Sequence, residues 1–97
     1  MSTKRWLFVT QYGGISLKLL KPVQRPQGQC WRDELGCEYP ARMVREHLTD
    51  AERQIFVRNY NDRARNMHDV HMHFHPEDTH DFVPLTYEQI IAKITAE

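Results

Sequence analysis

Thr49–Met67, TDAERQIFVRNYNDRARNM, is the long segment of this chain that has both helical periodicity and a start signal of its own. Thr49 and Glu52 stand at capping-box spacing, so each side chain can satisfy a backbone N–H that the first helical turn leaves without a partner. At 100° per residue Phe56, Val57, Tyr60, Ala64 and Met67 share one stripe, with Arg58, Asp62 and Arg65 opposite. That stripe must be buried against the rest of the chain. Ile55 lies well off it, which makes it either a solitary exposed apolar residue or a contact with another chain.

Working outward, Pro40 suits the first turn of a preceding helix that carries Met43, Val44, His47 and Leu48 on one face and ends where Thr49 starts the next. After Met67 the period shortens to two. Val70, Met72 and Phe74 alternate with His71, His73 and His75, the pattern of a half-buried strand stopped by Pro76. The acidic residues 77–81 follow as a loop. Thr86 and Gln89 then form a second capping box, ahead of Tyr87, Ile90, Ile91 and Ile94 on the apolar face of a last helix.

At the other end, Lys4–Gln11 is strand-like, with Trp6, Phe8 and Thr10 on one side and Leu7, Val9 and Gln11 on the other. Gly13-Gly14 permits the positive φ of a tight turn before the apolar run Ile15–Leu20, and a β-hairpin is expected. Residues 21–29, KPVQRPQGQ, have two prolines, a glycine and little to bury, so they read as a loop or mobile arm. The expected fold is α+β: an N-terminal β-hairpin, two consecutive helices, a short His-rich strand and a C-terminal helix.

Ninety-seven residues, 40% apolar and 27% charged, make one small domain spanning 1–97. No apolar run approaches the ~20 residues of a membrane span, and the residues after the basic N-terminus are too mixed for a signal-peptide core. A cytoplasmic protein is expected, with Cys30 and Cys37 as thiols. The zero net charge conceals a polarity: five basic and no acidic residues up to Trp31, six acidic residues and only Lys93 from Asp69 onward. Such a distribution suits an oriented contact with a partner.

The histidines are the most conspicuous chemical feature. On a strand, His71, His73 and His75 would share a face, and Cys30, Cys37 or His80 could complete a zinc site, although Cys-x6-Cys is not a usual knuckle spacing. The competing reading is a polar strand face, and a third is a contact that responds to pH between about 5.5 and 7.5. No nucleophile elbow, phosphate loop, HExxH or paired carboxylates are recognisable, so neither an enzyme nor a cofactor is expected. Trp6, Trp31 and the arginines offer stacking and charge to a nucleic acid, but a pI near 7 disfavours direct binding.

The opening MSTKRWLFVT, the length and the want of any enzyme motif resemble the small anti-RecBCD accessory proteins of P22-type lambdoid phages. The resemblance is diffuse over the chain. It implies a phage protein of the host cytoplasm that binds the RecC subunit of the host RecBCD helicase-nuclease and favours the phage's own recombination, without catalytic residues. On residue type, Trp31, Arg32, Ile55, Arg58 and Tyr60 are the candidate contacts, since aromatics and arginine dominate interface hot spots. A homodimer is a further expectation for so short a chain. The alternative is a small zinc-binding or nucleic-acid-binding module built on Cys30, Cys37 and the His71–His75 strand.

Overall fold

A computed structural model describes residues 3–96. Five antiparallel strands form one curled sheet in the order β4-β3-β2-β1-β5: β1 Arg5–Gln11, β2 Gly14–Arg25, β3 Gly28–Arg32, β4 Glu38–Pro40 and β5 Val44–Arg45. Two helices follow, α1 Asp50–Phe74 and α2 Tyr87–Thr95. The N-terminal hairpin is present, with Arg5 opposite Leu20 and Gln11 opposite Gly14. Its two-residue turn is Tyr12-Gly13, both with positive φ, which matches the right-handed twist of the strands it joins.

Three expectations need correction. Residues 21–29 are not a loop or arm: β2 runs through Arg25, turns at Pro26-Gln27 and returns as β3. Pro22 is tolerated because β1 ends opposite Leu20, so one edge of β2 is open over Lys21–Arg25, where a missing N–H need not break a ladder. The chain does not form two consecutive helices either. Pro40 is extended, a single 3-10 turn spans Ala41–Met43, and Val44 is drawn into a strand opposite Val9 on the free edge of β1. Finally, the His-rich strand is helix: α1 continues for 25 residues to Phe74. Val70 and Phe74, and His71 and His75, are four apart, so the same residues that alternate also satisfy the helical period.

Both faces of β1 are buried, and the core is accordingly double. On the helix side Phe8 and Ile15 meet Leu48, Phe56 and Ile90. Phe8, Phe56 and Tyr87 form an aromatic trio with centroids 5.6–6.5 Å apart, tying sheet, α1 and α2 together. Inside the curl Leu7, Val9, Leu20 and Tyr39 pack with Trp31 and Val44. Both capping boxes are formed, Thr49 with Glu52 and Thr86 with Gln89.

The sheet covers only the first part of α1. A 25-residue helix is ~37 Å long, and the molecule measures 55 × 28 × 24 Å. Its radius of gyration, 16.3 Å, exceeds the ~12.5 Å expected of a compact domain of this length. The second half of α1 therefore projects, backed on one side by the returning residues 76–86.

Candidate functional site

The projecting half of α1 has two sides. One is covered: Asn61 hydrogen-bonds both backbone groups of Leu85, the Arg65 guanidinium lies over the Phe82 ring, and His68 packs against His80 and Phe82. The other is bare. Met67, Val70 and Phe74 are 74%, 57% and 70% exposed and line an open hollow of about 580 Å3 with Asn66, His71 and His75.

The physical origin of this face lies in the helix register. At 100° per residue Arg63, Met67, Val70 and Phe74 fall within about 60° of one another. Phe56, five turns before Phe74, has the same azimuth and is buried on the sheet. One continuous stripe thus starts as core and runs off the end of the sheet, where nothing in the described chain lies beneath it. The exposed surface reflects this, being 7171 Å2 against ~5,800 Å2 expected for a folded monomer of this mass.

Electrostatics divide the molecule in the same way. Most cations in and beside the sheet are paired, Lys4 with Glu34, Arg5 with Glu46, Arg25 and Arg32 with Glu38, Arg45 with Glu52, while Lys18 and Lys21 of β2 have no acidic partner among the described residues. Hydrogen bonds from Arg25 and then Arg32 pull the Glu38 carboxyl down to about 2, against a smaller opposing effect of burial. Asp33 organises the neighbouring loop, accepting from the Leu35 and Cys37 N–H groups and from the Tyr39 hydroxyl. Burial acts to raise its carboxyl, but these hydrogen bonds together outweigh that and hold it low. Burial, reinforced by the bond to Asp33, pushes Tyr39 up to about 12. Along α1, Arg53 lies over the Tyr87 ring, while Arg58 and Arg63 have no acidic partner among the described residues.

The residues singled out in the sequence are dispersed. Trp31 packs inside the curl of the sheet and Arg32 is held by Glu38. Ile55, Val57 and Tyr60 are half-buried at the edge of the helix-side core, and Arg58 is exposed. Cys30 is half-buried on β3, and Cys37 is exposed in the loop before β4; both are free thiols. The cysteines do not join the histidines. Among the described residues, the group of three or more potential ligands whose donor atoms lie within 4.8 Å of one another is His75, Glu77 and Asp78. His73 is turned away from His71 and His75 and packs edge-on to Phe74.

Sequence reasoning reached Met67 but missed Val70 and Phe74 as members of its stripe. The signal was the unbroken three-four spacing Arg63, Met67, Val70, Phe74. Among the described residues no helix is long and apolar enough to cross a membrane. No known protein family, curated protein or solved structure matches the chain.

Proposed function

We propose that this protein is a non-enzymatic modulator that binds the RecC subunit of the host RecBCD helicase-nuclease and redirects recombination toward the phage's system, making contact through the bare face of α1. The partner comes from the resemblance of the chain to the anti-RecBCD accessory proteins of P22-type phages. The observation that carries the contact is the run Met67, Val70, Phe74, exposed in line on a projecting helix. A large apolar side chain in water gives up burial worth about 1.5–3 kcal/mol, and three in register are a ready anchor for a groove in a larger protein. Arg63, on the same azimuth, exposed and without an acidic partner among the described residues, supplies a charged rim that selects an acidic-edged groove.

Direct nucleic-acid binding has less support. Of the four α1 arginines, Arg53 and Arg65 lie over aromatic rings of the chain itself, and the cations of the sheet are largely neutralised.

The test is binding of the purified chain to purified RecC by calorimetry or surface plasmon resonance. Val70→Asp and Phe74→Ser should each weaken it at least about tenfold while leaving far-UV circular dichroism unchanged. If RecC does not bind the unaltered chain, the partner assignment fails. If it binds both variants as well as the parent, the assignment of the face fails. A concentration-dependent dimer that these substitutions dissolve, without RecC binding, would assign the face to self-association instead.

A further inference from the structure

We infer that the C-terminal end of α1 is a binding site for a borderline divalent transition ion of the zinc class, held by His71, His75, Glu77 and Asp78. This goes beyond the partner reading and stands independently of it.

The site is built by local sequence. His71 and His75 are one helical turn apart, and their rings stack with centroids 4.8 Å apart and planes at 28°, so the two imidazoles lie side by side. Pro76 then ends the helix and opens a 3-10 turn, Pro76–Asp78. That turn is locked by the Asp78 N–H donating to the His75 carbonyl at 3.0 Å and by the Thr79 hydroxyl donating to the Pro76 carbonyl at 2.6 Å. It folds two carboxylates back onto the two imidazoles.

The separations are those of a coordination edge. Asp78 Oδ2 lies 3.3 Å from His71 Nε2, and Glu77 Oε1 lies 3.5 Å from His75 Nδ1. Two donors at ordinary bond lengths on a tetrahedral zinc are about 3.4 Å apart, so an ion can take the place of the proton in the His71–Asp78 hydrogen bond without the two donor atoms moving far. The donor atoms of His75, Glu77 and Asp78 already lie within 4.8 Å of one another, and His71 joins them through Asp78. All four side chains are exposed, so closing the remaining distance disturbs no core packing.

The chemistry selects the ion. Two imidazole nitrogens with two carboxylate oxygens suit zinc, cobalt(II), nickel(II) or copper(II), and disfavour the all-oxygen ions calcium and magnesium. Two carboxylates balance the charge of a divalent cation, and the carbonyl end of α1 adds a negative field. Neighbouring histidines are engaged otherwise: His68 Nε2 meets the His80 carbonyl at 2.9 Å and His80 Nδ1 meets the Asp78 carbonyl at 2.7 Å, bracing the turn from behind.

The experiment uses the full chain without a histidine tag, stripped with chelator and titrated with zinc sulfate by calorimetry and with cobalt(II) chloride by visible absorption. One equivalent of zinc should bind, and cobalt should give the intense visible bands of a four-coordinate site. His75→Ala and Asp78→Asn should each weaken zinc at least about tenfold, with His73→Ala unchanged. Failure of the unaltered chain to bind either ion would overturn the inference. So would equal losses in His73→Ala and His75→Ala, which would indicate diffuse binding by a histidine-rich segment. Circular dichroism of the metal-free variants guards against misfolding as the cause.

Discussion

Asn61 holds Leu85 by both ends of its amide: Nδ2 donates to the Leu85 carbonyl and Oδ1 accepts from the Leu85 N–H, each at 3.0 Å. One side chain of α1 thus replaces a strand partner for the segment that leads into α2. Both groups are partly buried, so removing the amide leaves a donor and an acceptor without partners in a poorly hydrated place. Asn61→Leu should lower stability by about 1–3 kcal/mol, read as a reduced urea midpoint. Hydrogen exchange at the Leu85 amide should accelerate more than exchange in β1. Unchanged protection there would show that the clamp holds nothing.

The hairpin turn offers a substitution in the opposite direction. Tyr12 has φ 52° and is 98% exposed, so it occupies the left-handed region without a packing contact to compensate. Tyr12→Asn would create Asn-Gly, the sequence best suited to a turn with two positive φ values. A gain of about 0.5–1 kcal/mol in urea unfolding is expected, and a loss would mean that the Tyr12 ring has a role in the folded chain.

Glu38 sets the acid limb of stability at the far edge of the sheet. Its carboxyl is drawn from about 4.5 in the unfolded chain to about 2 in the fold, first by the hydrogen bond from Arg25 and then by that from Arg32. A depressed folded value means that the folded state binds fewer protons. The contribution of Glu38 is therefore present in full above about pH 4.5 and disappears as pH falls toward 2. Urea curves of the parent and of Glu38→Gln should differ at pH 6 and converge near pH 2. An NMR titration of the Glu38 side chain with its midpoint near 4.5 would contradict the geometry.

These relationships differ in how far they could be read from residues. Capping boxes were legible at Thr49 and Thr86 because they are local: the side chain and the N–H it satisfies are three residues apart. The hairpin was legible for the same reason, since its turn and its pairs are close in sequence. Residues 21–29 misled because prolines argue against strand only where both edges of the strand are paired, and which edge is free depends on where β1 stops. Val44 behaves as a helical residue in its local spacing, yet the free edge of β1 draws it into a strand, a non-local gain. In 70–75, apolar and histidine positions fit periods of two and of nearly four alike, and only the continuation of the stripe from Met67 decides between them. The bare face was hidden for a further reason: whether an apolar stripe is core or surface depends on how far the sheet extends.

That dependence supplies the most direct test of the architecture. Phe56 and Phe74 lie on one azimuth of one helix, five turns apart; Phe56 is 2% exposed and Phe74 is 70% exposed. Phe56→Ala removes a ring packed against Phe8 and Tyr87 and should cost about 3–5 kcal/mol. Phe74→Ala removes a ring that stands in water, and alanine is the better helix former, so stability should change by no more than about 0.5 kcal/mol. Thermal or urea unfolding of the two variants decides the matter. A large loss in both would mean that the end of α1 is covered in solution, and the face assigned to a partner would already be occupied by the chain itself.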